Sequence, residues 1–185
     1  LLLCASTRDG EEALILDAWL RQGTSETLLA LVPRHPQRFD EVAALIASRG
    51  LSHCRRSARV TPTAEIAVWL GDSMGELFAW YAAADVAFIG GSLLDHGSQN
   101  LIEACAVGTP VLIGPSTYNF ADAAREAIEA QAALPIGNAE AMIGEAVRLL
   151  ADPGRRAAMG EAGRAFAARH RGATARTMAL IERFI

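Results

Sequence analysis

Asn100 and Glu103 stand three residues apart, directly after a loop with glycines at positions 90, 91 and 97. On a helix that spacing is one turn, so an amide and a carboxylate face the same side. A carboxylate so placed can accept the hydroxyls of a ribose diol. The loop follows a short apolar run, Val86–Ile89, and leads into a second apolar segment, Leu101–Val107. A strand, a glycine-rich turn and a helix start are the parts of an anion cradle. Glycine lets the backbone come close to a ligand, and the N–H groups of the first helical turn point at it. A capping pair explains Asn100 and Glu103 equally well, and the two roles are compatible.

Four more turns carry groups of this kind. In Pro33-Arg34-His35-Pro36 two prolines stiffen the chain, so Arg34 has little freedom left to lose on binding. Its guanidinium can hold a phosphate or carboxylate through paired hydrogen bonds; a surface ion pair is the plainer role. His35 reads as a packed loop histidine. In Gly71-Asp72-Ser73-Met74-Gly75-Glu76, Ser73 and Glu76 match a capping box. Gly75 in a first helical turn costs up to about 1 kcal/mol against alanine, which points to something approaching the backbone. Ser6-Thr7-Arg8-Asp9-Gly10-Glu11 reads as a helix start capped by Ser6 or Thr7, its acids favoured by the helix dipole. Asn119 in Gly114–Asp122 reads as an N-cap, and Phe120 as core packing. The dispersed Cys4, Cys54 and Cys105, and the Asp95–His96 pair, form no metal-ligand array.

The elements that must position these turns alternate. Strands are expected at Leu1–Ala5, Thr27–Val32, Glu65–Leu70, Val86–Ile89, Pro110–Ile113 and, weakly, Ala132–Leu134. Helices are expected at Glu12–Gln22, Phe39–Arg49, Glu76–Ala83, Leu101–Val107 and Asp122–Ala130. Leu14, Ile15, Ala18 and Trp19 are read as the inward face of the first, and Gly50 closes the second. His53–Thr63 is left as a short strand or loop, and the alanine-rich tail from Ala139 to Ile185 as helices broken at Asp152–Gly154 and Arg171–Gly172. The tail's Arg155, Arg156, Arg164 and Arg169 read as a solvated helix face. Strand–helix alternation with apolar strands means an α/β fold, a Rossmann-like, doubly wound parallel sheet covered on both faces. Its ligand crevice belongs outside the carboxyl ends of the strands, where all five turns fall.

At 185 residues the chain is expected to form a single domain with a full core. A formal charge of −4 argues against a nucleic-acid surface, so any anion must be held by local arginines and helix ends. Unpaired cysteines suit a reducing compartment. No apolar run reaches the length of a membrane span. The abrupt opening Leu-Leu-Leu-Cys-Ala suggests a piece of a longer protein.

Taken together, these turns resemble the C-terminal half of the 3-deoxy-D-manno-octulosonic acid (Kdo) transferases of lipopolysaccharide synthesis. The resemblance runs from Ala5-Ser6-Thr7-Arg8 with Gly10-Glu11 through Leu31-Val32-Pro33-Arg34-His35-Pro36 and Gly71-Asp72-Ser73-Met74-Gly75-Glu76. It continues through Gly90-Gly91-Ser92-Leu93, Asn100 with Glu103, and Gly114-Pro115 with Asn119-Phe120. It implies a GT-B glycosyltransferase, two Rossmann-like domains facing across a cleft, of which residues 1–185 are the donor-binding domain. The N-terminal acceptor domain is then outside this chain.

The resemblance further implies inverting transfer of Kdo from CMP-Kdo to a lipid A precursor, with no cofactor and no metal. It places donor contacts on Pro33, Arg34 and His35, on Met74, Gly75 and Glu76, and on Asn100, Leu101, Ile102 and Glu103. The general base would lie on the acceptor domain, leaving this chain inactive alone. The full enzyme would sit on the cytoplasmic face of the bacterial inner membrane. Where the family commonly reads Gly-Gly-His-Asn-Pro-Leu-Glu, this chain has Gly97-Ser98-Gln99-Asn100-Leu101-Ile102-Glu103. The proline's pre-set φ is lost, while Asn100 and Glu103 keep their register. The alternatives are a GT-B transferase or epimerase using a uridine-nucleotide sugar, and a non-catalytic nucleotide-binding module.

Overall fold

Successive residues of a strand point to opposite faces of its sheet, and here both faces are apolar. Leu2, Cys4, Leu29, Leu31, Val68, Leu70, Val86, Phe88 and Leu112 join one buried cluster. Their neighbours Leu3, Ala5, Ala30, Val32, Ala87, Ile89, Val111 and Ile113 join another. Such strands are stable only in the middle of three layers. In the computed structural model, which describes residues 1–170 together with 178, 181 and 182, that is where they lie.

The strands are β1 (Leu2–Thr7), β2 (Leu29–Pro33), β3 (His53–Arg55), β4 (Val68–Leu70), β5 (Val86–Ile89), β6 (Val111–Ile113) and β7 (Ala133–Pro135). They form one sheet in the order β3-β4-β2-β1-β5-β6-β7, with every pairing parallel. The helices α1 (Glu11–Gln22), α2 (Phe39–Ser48) and α6 (Ala139–Ala151) bury their apolar stripes against the first face. The second face is covered by α3 (Leu77–Ala83), α4 (Ile102–Val107), α5 (Ala121–Glu129) and α7 (Pro153–Arg169). The doubly wound parallel fold expected from the sequence is the one observed.

From β1 the chain runs outward through β2 in one direction and resumes at β5 in the other. The crevice of such a sheet opens between those two strands, at their carboxyl ends. The backbone is unusual there. Ser6 has φ 55° at an irregularity in β1, and Gly10, Gly91, Gly97 and Ser98 also have positive φ. Gly90 sits so close to β1 that an added Cβ would lie 2.4 Å from the Ser6 carbonyl oxygen.

Several local expectations are corrected. Leu14 is 42 % exposed, because α1 turns Ile15, Leu16, Ala18 and Trp19 inward and Leu14 falls off that stripe. The first strand extends to Thr7, and the Glu65–Leu70 strand shortens to Val68–Leu70, the stretch that β2 and β3 can pair. The α1 start is capped by Gly10 in the left-handed region, with no side-chain cap from Ser6 or Thr7. Asn119 does not cap α5; its Nδ2 donates to the His96 carbonyl. The cap of α6 is Asn138, which accepts the Ala141 amide, and that of α7 is Asp152, which accepts the Arg155 amide. Arg155 and Arg169 are exposed, but Arg156 turns back to donate to the carbonyls of Leu149 and Leu150, and Arg164 donates to the Val107 carbonyl at 3.1 Å. The break expected at Arg171–Gly172 lies outside the described residues.

Candidate functional site

The crevice is built by two loops fastened to one buried side chain. Glu11, fully buried at the head of α1, accepts the amides of Arg8 at 2.8 Å, Gly91 at 2.7 Å and Leu93 at 2.9 Å. Gln99 donates its amide to the Gly90 carbonyl, and Ser98 donates to that of Gly91. Ser92 Oγ accepts the Gly114 amide at 2.8 Å, which joins the loop after β6 to the same unit. The glycine-rich loop therefore spends the amides of Gly91 and Leu93 within the protein. Its glycines serve the close approach of strand ends, and the Gly91 and Leu93 amides are not free to meet an anion.

The free donors lie on either side of it. Arg34 is exposed at the end of β2, its amide bound to the Thr7 carbonyl at 2.9 Å. Its Nε donates to Gln99 Oε1 at 3.3 Å, which turns the guanidinium toward the loop before α4. The Arg8 side chain passes the backbone of Gly91, its Cγ 3.5 Å from where a Cβ there would stand. Among the described residues neither Arg8 nor Arg34 has a carboxylate partner within 4.0 Å. Arg38, by contrast, is neutralised by Glu12 at 2.8 Å, Glu41 at 3.0 Å and Asp9 at 3.3 Å. Partial desolvation, with Arg8, Arg34 and Arg38 adding their charge, pushes the His35 imidazole below its ordinary value. A chain of net negative charge thus concentrates positive potential at its switch point.

Across from these arginines, Asn100 Oδ1 accepts the Ile102 amide at 3.0 Å, and Asn100 Nδ2 donates to Glu103 Oε1 at 3.2 Å. The pairing of Asn100 with Glu103 at the start of α4 is formed. Asn100 closes the helix start and holds a carboxylate whose other oxygen has no protein donor among the described residues. Ile102 packs partly buried against the core, and Leu101 is fully buried, so only its backbone can reach a ligand. Pro33 is buried likewise.

The third group, Met74–Glu76, stands at the end of β4. Gly75 has φ 80° and nothing within 4 Å of a Cβ position, so it is set by its dihedral and leaves open space above it. Met74 is 57 % exposed. The capping box expected of Ser73 and Glu76 is absent, since α3 begins only at Leu77. The two side chains bond each other instead, and Glu76 also accepts from Arg56 at 2.8 Å. Arg8, Glu11 and Gln99 stand in turns that the sequence marked without giving them a place in the site, and Arg56 stands in the stretch left as strand or loop. Arg8 and Arg56 were legible only as charges in loops, and nothing local marked Glu11 as more than a dipole-matched acid.

Arginines without carboxylate partners, a carboxylate with one oxygen unbonded among the described residues and open space above a left-handed glycine suit a ligand that joins an anion to a polyol. Among the described residues no group of three or more His, Cys, Asp or Glu side chains comes together to hold a metal. No described helix is long and apolar enough to cross a membrane.

Comparison with known proteins bears on this arrangement. Residues 52–166 match the family model "Glycosyl transferases group 1". The chain is 53 % identical over 184 residues to a 3-deoxy-D-manno-octulosonic acid transferase of Bordetella pertussis, covering 96 % of this chain and 43 % of that protein. It is 38 % identical to the corresponding transferase of Haemophilus influenzae, over 99 % of this chain and 44 % of the relative. The chain therefore spans less than half the length of these curated relatives. Among solved structures, the C-terminal CMP-Kdo binding domain of WaaA from Acinetobacter baumannii superposes with a TM-score of 0.85 at 33 % identity. That match covers 89 % of this chain and 87 % of the other.

Proposed function

The chain belongs to the group 1 glycosyl transferases and, within them, to the Kdo transferases, and we propose that it is the domain that binds CMP-Kdo. The observation that carries this reading is the placement of Arg34 and Arg8, without carboxylate partners, across the switch point from the Asn100–Glu103 pair. In it, Arg34 holds the phosphate of the cytidylate, assisted by Arg8. Glu103 accepts the ribose hydroxyls, and the backbone of Met74–Glu76 lines the nucleotide pocket.

During transfer an acceptor hydroxyl attacks the anomeric carbon of Kdo while the bond to the phosphate oxygen breaks. CMP leaves with the bonding electron pair, and the hydroxyl proton passes to a base. The sugar carbon is oxocarbenium-like at that moment. Positive groups fixed beside the departing phosphate stabilise the charge that develops on it, and because they are already oriented they need no reorganisation. The base and the lipid A precursor acceptor belong to a preceding domain outside this chain. Residues 1–185 alone then bind the nucleotide and do not turn over, and the whole enzyme works at the cytoplasmic face of the inner membrane, where a lipid acceptor is available.

Titration calorimetry of this chain with CMP tests the reading. Wild type is expected to bind, and Arg34→Ala to bind at least roughly tenfold more weakly, the loss of one charge-assisted phosphate contact. Equal affinity in the two proteins would remove Arg34 from the phosphate.

A further inference from the structure

At the carboxyl ends of β3 and β4 a cavity of about 700 Å³ opens on the same rim, with Arg56, Arg59, Trp69, Ser73 and Glu76 in its wall. Only Glu76 belongs to the contacts already assigned. Arg56 Nη2 donates to Glu76 Oε1 at 2.8 Å, and Ser73 Oγ donates to the other oxygen, which fixes the carboxylate. Both members of the pair remain open to the cavity, with side chains 35 % and 36 % exposed. The bond to Glu76 uses one of the guanidinium's five N–H donors. Beside them Trp69 supplies an aromatic wall, braced edge-on by Trp80 with ring centroids 4.4 Å apart. A base plane can rest against such a wall with little sequence preference of its own.

The pair presents an acceptor next to donors along one line. Cytosine presents the complement: an N4 amino donor, followed by N3 and O2 as acceptors. Uracil carries an acceptor, O4, where cytosine has its amino group, and a proton on N3. Against Arg56 and Glu76 it would set acceptor on acceptor and donor on donor. We propose that the Arg56–Glu76 pair reads the base edge of the bound nucleotide and selects cytosine over uracil. This rests on the nucleotide-site reading above and adds to it the residues that decide the base. Half of the selectivity is repulsive, because a carboxylate facing O4 penalises the wrong base as much as it rewards the right one.

Calorimetric titration of the chain with CMP and with UMP, in wild type, Glu76→Gln and Arg56→Gln, tests it. Wild type is expected to prefer CMP by roughly tenfold or more, since a site built to pair polar groups strongly rejects a ligand that leaves them unpaired. In Glu76→Gln the side-chain amide can turn its NH₂ toward O4, so the preference should fall to about threefold or less, mainly through tighter UMP binding. Arg56→Gln should narrow it by weakening CMP. Both side chains are a third exposed, and a thermal melt checks that each variant keeps the wild-type fold. A CMP-to-UMP ratio unchanged in both folded variants, with CMP still bound, overturns the base-reading role and leaves the nucleotide site standing. No CMP binding by wild type overturns that site and this inference together.

Discussion

Glu11 accepts a hydrogen bond from the backbone amide of Gly91 at 2.7 Å although 80 residues of chain separate them. One carboxylate, fully buried, thereby locks the loop after β1 to the loop after β5, and it takes the Leu93 and Arg8 amides as well. Replacing it with alanine would leave these amides without acceptors in a closed site, at about 1–3 kcal/mol for each one unmet. Glu11→Ala is expected to lose about 3 kcal/mol or more in urea unfolding. Glu11→Gln, which retains one carbonyl oxygen, should lose about 2 kcal/mol. A loss well under 1 kcal/mol for the alanine variant would mean that other contacts hold the two loops.

Gly75 and Gly90 are glycines for opposite reasons, and alanine separates them. At Gly75 a Cβ meets nothing within 4 Å but must adopt φ 80°, a strain of about 1–2 kcal/mol. At Gly90 the methyl would stand 2.4 Å from the Ser6 carbonyl oxygen and 2.6 Å from the Thr7 Cα, so β1 and β5 would have to part. Gly90→Ala is expected to cost about 3 kcal/mol or more, at the upper end of overpacking changes. Denaturation midpoints of the two variants check the order, which reverses if Gly75 is in fact packed.

Glu12 gives the stability of the domain a pH dependence of known sign. Burial pushes its carboxyl above the ordinary value, outweighing the hydrogen bonds from Thr7 and Arg38. The folded chain then keeps that proton to higher pH than the unfolded chain does. The stability this confers is complete below the ordinary carboxyl range and is lost as pH rises through the raised value. Compared with Glu12→Gln, wild type should therefore lose ground as pH rises from the ordinary carboxyl range through the raised value; taking the difference between the two cancels the other carboxylates. Unfolding free energies of both proteins across that range measure it, and a gap that widens in favour of wild type would reverse the assignment.

The cysteines should react in an order set by burial. The Cys105 thiol is pushed up to about 12 by desolvation, and Cys4 further still, by burial and then by Glu11 and Glu12. Cys54 is raised by burial too but is only half-buried. Since the thiolate is the nucleophile, iodoacetamide at mildly alkaline pH is expected to label Cys54 first. Cys4 and Cys105 should follow only as fast as the chain opens. Mass spectrometry of the time course decides it, and early labelling of Cys105 would contradict the packing of α4.

Some of this was plain in the chain itself. The Val86–Ile89 strand has the bounds its apolar run gives it, and a glycine, Gly50, does close α2 in the left-handed region. Arg34, Gly75 and the Asn100–Glu103 pair all stand at the rim where the alternation of strands and helices put them. What went astray was chemistry that two readings shared. Ser73 and Glu76 have the spacing of a capping box, but they lie ahead of α3 and bond each other and Arg56. Asn119 looks like a cap, yet no side-chain cap bond starts α5, and its Nδ2 donates to the His96 carbonyl, from another loop.

Apolar periodicity is a local property, and with the short connections between elements it determined the layers of this protein, the parallel sheet and the rim that must carry its ligand. Which donors at that rim are free and which are spent was decided only by tertiary structure. The Gly91 and Leu93 amides are taken by Glu11, and Arg38 is neutralised while Arg8 and Arg34 are not, through partners distant in sequence or on other elements. A side chain's availability depends on its neighbours in space, and the order of residues along a chain does not list them.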